Sequence, residues 1–259
     1  QTGLVLSITR WLDLSPNAIF LTGTPMENRV DEFIALANLL DKKVSETLSR
    51  AVLAAGPEPF RRAVAPIYLR RNANEVLKEL PELIEITDFC DWDGIDRENY
   101  VRAVEVGNFM AMRRAAFKGI EGQVPSKLER LQEIVDESLE NNKKVLIFSF
   151  FKSVIEQVMS SLGDRALGPI TGATSSPQRQ ALVDQFQADT RPRALVGQIQ
   201  AAGTGLNIQA AEVVIICEPQ IKPSLEVQAI ARAHRMGQVN KVQVHRLILP
   251  DSVDEQMLV

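Results

Sequence analysis

Gln228, Arg232 and Arg235 stand four and three residues apart in QAIARAHRMGQ (228–238), a spacing that puts three side chains on one face of a helix. Two guanidiniums on one face, with Gly237 placed to cap the helix, suit planar and permanently charged forks aimed at phosphate oxygens. Far upstream, LTGTPMEN (21–28) sets Thr22, Gly23 and Thr24 in a tight polar turn after the strand-like run AIFL (18–21); alone, such a sequence is only a turn. The other polar residues that fall at strand ends or in the loops after them are Ser149, Gly172, Thr174, Gln198, Gly203 and Asn207, where open parallel sheets place ligands. Cys90 and Cys217, 127 positions apart, and the two histidines, His234 and His245, supply neither a disulfide framework nor a zinc spacing. No metal site is expected from these residue types.

The elements that must carry these residues alternate. SKLE (126–129) has the pattern of a capping box, Ser126 at the N-cap and Glu129 three positions on, before a helix using Leu128, Leu131, Ile134, Val135 and Leu139. VLIFSFF (145–151) follows as a strand, then a helix on Val154, Ile155, Val158, Met159 and Leu162 that Gly163 would end. Ser176 with Pro177 opens the next helix, ALVGQI (194–199) and VVIIC (213–217) are apolar strands, Ser224 caps a helix running to Met236, VQVHRLIL (242–249) is a last strand, and Ser252 with Glu255 repeats the capping box. This βα alternation predicts an α/β fold: a parallel sheet with helices on both faces. The expected division is 1–84, mostly helical with one strand and therefore the tail of an α/β lobe; 85–125, a helical linker or protrusion; and 126–259, a complete lobe.

At 259 residues, a prior of roughly 150 residues per domain gives about 1.7 domains. With 45% hydrophobic and 24% charged residues and a net charge of −4, the chain is neither disordered nor built for a membrane. Charge is segregated: residues 61–78 hold five basic side chains against one acidic, 79–98 eight acidic against one basic, and 222–246 five basic against Glu226. Local basic clusters can follow a phosphate backbone, although solvated helix faces look the same. The absence of a signal pattern and of an apolar spanning run leads to a cytoplasmic expectation, nucleoid-associated if the source is bacterial.

Taken in order, these segments resemble the Swi/Snf-type, chromatin-remodeller-like branch of superfamily-two helicases, in its bacterial form. LTGTPMEN resembles motif III; YLRR (68–71) with VLKELP (76–81) the inter-lobe segment; SKLERL (126–131) and KVLIFSFF (144–151) the start of the second RecA-like lobe and motif IV; ITGATSSPQRQALVDQF (170–186) the following block; AAGTGLNIQAAEVVI (201–215) motif V; and QAIARAHRMGQ motif VI. Four positions depart from the family pattern: Ala202 in place of a glycine, Gln198 and Ile199 in place of a hydroxyl pair, and Ile221 in place of a tryptophan. No G-x-x-x-x-G-K-[ST] phosphate loop and no Asp-Glu box ahead of motif III occur in the chain, so the resemblance makes it the C-terminal portion of such an ATPase, from motif III to motif VI.

The resemblance implies that ATP and Mg are bound mainly by the other lobe, and that Arg232 and Arg235 are arginine fingers, with Gln228 sensing the γ-phosphate. Thr22, Gly23 and Thr24 would couple phosphate state to lobe closure. Ser149, Gly172, Thr174, Gln198, Gly203 and Asn207 would touch the backbone of double-stranded DNA without reading sequence; transcription or repair machinery would fit as a protein partner, and no membrane is involved. The chain alone should be inactive. Two other readings are weighed. A dinucleotide oxidoreductase would use Gly203-x-Gly205, but Ile208 stands at the third glycine position. A degenerate helicase lobe serving as a protein-interaction module would have no use for both Arg232 and Arg235.

Overall fold

The computed structural model describes residues 12, 17–22, 30–53, 57–70, 79–203 and 205–258. Two compact units divide the chain, Gln1–Lys78 and Glu79–Val259. In the first, helices α1 (Val30–Leu40), α2 (Lys42–Leu53) and α3 (Pro57–Val64) pack around Phe33, Ala37, Leu48 and Val64. Phe33 meets Phe60 and Tyr68 at ring distances of 5.8 and 5.6 Å. The expected strand AIFL is not a strand: 17–22 have no regular secondary structure, with Ile19 84% and Leu21 92% exposed. A strand needs a partner to satisfy its backbone groups, and none is present among the described residues of this unit.

The second unit is built on a six-stranded sheet in the order β1-β6-β5-β2-β4-β3, every pair parallel. Its elements in chain order are β1 (Leu83–Phe89), α4 (Arg97–Glu105), α5 (Phe109–Ala115), α6 (Ser126–Glu140), β2 (Lys144–Ser149), α7 (Lys152–Leu162), β3 (Ala166–Ile170), α8 (Ser176–Ala188), β4 (Ala194–Gln198), α9 (Ile199–Ala202), β5 (Ala211–Ile216), α10 (Pro223–Ile230), β6 (Val242–Ile248) and α11 (Val253–Gln256). The central strands are near-continuous apolar runs because both faces are covered. Val145, Ile147, Val213 and Ile215 face α6 and α7; Leu146, Phe148, Val214 and Ile216 face α8, α9 and α10.

Two strands, β1 and β3, went unexpected, and β1 bears on the boundary. β1 pairs with β6 over its whole length, so 79–125 belongs to the second unit, and a division at 84 would cut that strand. Its acidic side chains are paired within the unit: buried Asp88 accepts from Arg130 Nε and Nη2 at 2.9 and 2.8 Å and lies 2.8 Å from His245 Nδ1, and exposed Glu85 pairs with Arg246 at 2.7 Å. α4 and α5 pack onto the same unit through Tyr100, Ala115 and Val253.

Three caps also shift. Pro125, not Ser126, is the N-cap of α6, and the Ser126 hydroxyl donates to the Asp91 carbonyl at 2.6 Å. Ser175 caps α8 with Gln178 reaching back to its amide at 3.1 Å, one residue ahead of the expected start. Lys222 rather than Ser224 precedes α10. Lys127 and Asp254, both 0% exposed, pair at 2.7 Å and fix α11 to α6.

Candidate functional site

The carboxyl ends of the strands in the second unit carry the loops on which most of the expected site residues lie. α10 ends at Ile230, and 231–237 continue as turns, so Gln228, Arg232 and Arg235 do not share one regular helix face. Past that end Arg232 folds back onto the backbone of a distant segment. Its Nε donates to the carbonyls of Gly203 and Gln228, each at 3.1 Å, and its Nη1 to that of Leu206 at 3.4 Å, while its own carbonyl accepts from Ile208 N at 3.0 Å. Asn207, exposed, is thus held between two contacts to Arg232. Burial first, and then the neighbouring Arg235 charge, lower the Arg232 pKa. Arg235 Nε is buried with no hydrogen-bond partner.

This is a pair of adjacent guanidiniums, one held by neutral carbonyls and the other with an unpaired donor. Among the described residues neither is bonded to a carboxylate. Such a pair is electrostatically incomplete until an anion meets it. Phosphate oxygens fit the donor set, and Arg232, Arg235 and Gln228 would be the residues to hold them. No group of three or more His, Cys, Asp or Glu among the described residues could hold a metal ion.

A second polar edge crosses the tips of β2, β4 and β3. Gln198 at the end of β4 donates from Nε2 to the Phe150 carbonyl at 3.1 Å and accepts from Gly172 N at 3.4 Å. Thr174 closes the same loop, its Oγ1 accepting from Thr171 N at 2.9 Å and donating to the Pro169 carbonyl at 3.3 Å. Arg179, which the sequence did not single out, binds the carbonyls of Thr174 and Thr171 at 2.8 and 3.2 Å. Gly172 is exposed, and Thr174 and Gln198 are half-buried.

Two expected contacts are not on this edge. Ser149 is 1% exposed, and its hydroxyl is used by Glu218 Oε1 at 3.0 Å and by Phe151 N at 3.0 Å. Gly203 is buried: its N–H donates to Ile199 O at 2.9 Å and its carbonyl accepts from Arg232. A Cβ there would lie 2.3 Å from Ile199 O in the turn of α9 that Gly203 caps, and 3.3 Å from Ala229 Cβ of α10, so the glycine is required by the close approach of the fold's own atoms rather than by a ligand. Thr22 is exposed in the first unit, and Gly23 and Thr24 lie outside the described residues.

Residues 9–145 match the family described as SNF2-related domain, and 126–237 match the helicase conserved C-terminal domain. An uncharacterised ATP-dependent helicase of Mycoplasma genitalium, MG018, is 28% identical over 270 residues, covering 92% of this chain and 26% of the relative. The chain therefore spans about a quarter of that protein's length. Among solved structures, the C-terminal part of the Fun30 ATPase domain aligns with TM-score 0.60 at 20% identity over 70% of this chain and 89% of its own. The Sulfolobus solfataricus SWI2/SNF2 ATPase core in complex with dsDNA aligns with TM-score 0.53 at 22% identity, covering 91% and 58%. The fold of the second unit is that of the RecA-like C-terminal lobe.

Proposed function

This chain belongs to the SNF2-related family, and on that premise we propose that it is the part of an ATP-driven double-stranded-DNA translocase that presents arginine fingers and DNA-backbone contacts. The observation that carries the reading is the Arg232–Arg235 pair, two adjacent guanidiniums that have no carboxylate among the described residues and leave a buried donor unpaired.

In this reading Arg235 and Arg232 turn their free N–H groups to the γ-phosphate, and Gln228 sits one turn before them. When bound, ATP supplies the phosphoryl group whose transfer to water creates charge for the guanidiniums to stabilise. Arg232 also holds both sides of Asn207, so a change at the phosphate reaches the DNA-facing loop through the same side chain. Asn207 and the second Nε2 hydrogen of Gln198 offer neutral donors suited to phosphate oxygens, Gly172 and Thr174 shape the loop beside them, and none carries a base-reading pattern. Binding is then independent of sequence, the partner being the duplex backbone. Ser149 and Gly203 act beneath that surface. Thr22, Gly23 and Thr24 keep their motif III role as part of the proposal, as do Mg and the ATP cradle outside this chain.

Among the described residues no helix is long and apolar enough to cross a membrane. A role as a mere interaction module is disfavoured by Arg235, whose buried Nε has no partner and no structural duty. The test is ATP turnover by a longer protein carrying this chain and a phosphate loop, with and without duplex DNA. Stimulation by DNA of any sequence is expected, together with no turnover by the 259-residue chain alone. Absence of DNA stimulation would overturn the proposal.

A further inference from the structure

β2 and β5 lie side by side in the sheet, yet the chain leaves them in opposite directions, from β2 towards β3 and from β5 towards β6. Open parallel sheets form a crevice at such a divergence. Glu218 lies there, 0% exposed. Its carboxylate accepts from Ser149 Oγ and from the Phe150 amide, and its carbonyl accepts from Gln220 Nε2 at 2.8 Å. Arg113, on α5 and 1% exposed, reaches the same point from outside every motif. Its Nη2 donates to the Pro219 carbonyl at 2.6 Å, and its guanidinium carbon lies 5.4 and 5.3 Å from the Phe150 and Phe151 ring centres.

A cation and a carboxylate buried this deeply are costly, and hydrophobic residues of similar volume would serve packing at least as well. What the pair does instead is fix geometry. The Phe150 amide binds Glu218 while the Phe150 carbonyl binds Gln198, whose Oε1 meets Gly172 N. On the other side Gln220 N donates to Glu226 Oε1 at 2.8 Å, which anchors the start of α10. Both loops at the crevice are thereby tied to one buried centre.

We propose that Arg113 and Glu218 are positioning residues: together they hold the 149–151 and 217–220 loops, and so set the Phe150–Gln198–Gly172 edge in the arrangement that meets the DNA backbone. The proposal rests on the reading of that edge as DNA-facing, but the clamp itself is measurable without DNA.

Both partners of the carboxylate donate to it, so the ionised form is the locking one. Burial pushes Glu218 up to about 7, against the Phe150 amide, the Lys127 and Arg113 charges and the Ser149 hydroxyl, which favour ionisation. The other ionisable groups at this centre are Cys217, whose thiol burial pushes up, and Asp254 and Glu226, which face Arg113. The clamp therefore tightens as pH rises through neutrality.

The experiment is residue-resolved amide exchange of the 259-residue chain at pH 6 and pH 8, corrected for intrinsic rates, with duplex affinity measured in parallel. Protection of the Phe150 amide should rise about tenfold between the two, following one proton. Arg113→Met should move the midpoint up by about one pH unit, Arg113→Lys should leave it in place, and Glu218→Gln should remove the dependence. If Arg113→Met does not fold, the wild-type, Arg113→Lys and Glu218→Gln profiles decide. A flat Phe150 profile in the wild type, or an unmoved midpoint in folded Arg113→Met, overturns the clamp. If the profile behaves and no duplex binds at any pH, the DNA reading fails while the clamp stands.

Discussion

Arg232 Nε donates to the carbonyl of Gly203, 29 residues earlier, at 3.1 Å. One side chain thus ties the turn after α10 to the end of α9, and it does so with the same guanidinium proposed to face phosphate. Arg235, three residues on, has no such structural duty and keeps a buried Nε unpaired.

The two arginines should therefore differ under substitution. Arg232→Ala removes hydrogen bonds from a charged donor to three backbone carbonyls, two of them on the buried residues Gly203 and Leu206, and should lower stability by about 2 to 3 kcal/mol. Arg235→Ala should leave stability within about 0.5 kcal/mol of the wild type. Denaturant unfolding of both variants checks this, and equal losses would mean that Arg235 is as structural as Arg232.

Asp88 links three elements, since it binds Arg130 of α6 and His245 of β6 from β1. Burial raises its pKa, but the His245 and Arg130 hydrogen bonds outweigh this and hold it below 3.8. A lowered carboxylate contributes stability above its unfolded pKa, which is lost as pH falls through the folded value. Asp88→Asn should cost about 2 to 3 kcal/mol near pH 7, less than a fully buried pair because Arg130 is part-exposed. The cost should shrink below pH 3.8. Thermal melts of both proteins across pH 3 to 7 measure it, and a constant difference would sink the assignment.

DNA contacts limited to a few backbone groups imply a shallow but definite salt dependence. Neutral donors release few counterions, so with about one phosphate neutralised the affinity for duplex should fall only about threefold to fivefold between 50 and 200 mM salt. Gln198→Ala should weaken binding to all sequences alike, because Gln198 holds the edge through Phe150 and Gly172. Fluorescence anisotropy with two unrelated duplexes tests both points; discrimination between the duplexes would contradict a backbone-only contact.

The central strands were legible in the sequence because VLIF and VVII, buried on both faces, are continuous apolar runs, and VQVHRLI keeps Val242, Val244, Leu247 and Ile248 buried between its polar residues. β1 was not, since Glu85 and Asp88 make LIEITDF look like an acidic boundary until Arg246, Arg130 and His245 are brought to it by the fold. β3, ALGPI, is a short edge strand interrupted by Gly168 and Pro169. At the site, the spacing of Gln228, Arg232 and Arg235 was visible but the end of α10 at Ile230 was not, because it depends on carbonyls at Gly203 and Leu206. Ser149 was placed on the surface by its strand-end position, and only the partner 69 residues away, Glu218, shows that its hydroxyl is consumed within the fold. Arg113 gave no signal, as its partner Pro219 lies 106 residues on.

The measurement that bears most directly on the proposed function is DNA-stimulated ATP turnover by the longer protein carrying Arg235→Ala, with the melting temperature as control. Loss of a guanidinium that acts mainly in the transition state should lower kcat by roughly 10³- to 10⁵-fold while ATP binding and the melting temperature stay close to wild type. Arg235→Lys should recover only part of the loss, because the charge remains and the planar fork does not. Near-normal turnover by a folded Arg235→Ala protein would contradict the account and assign this basic pair to DNA or to a protein partner.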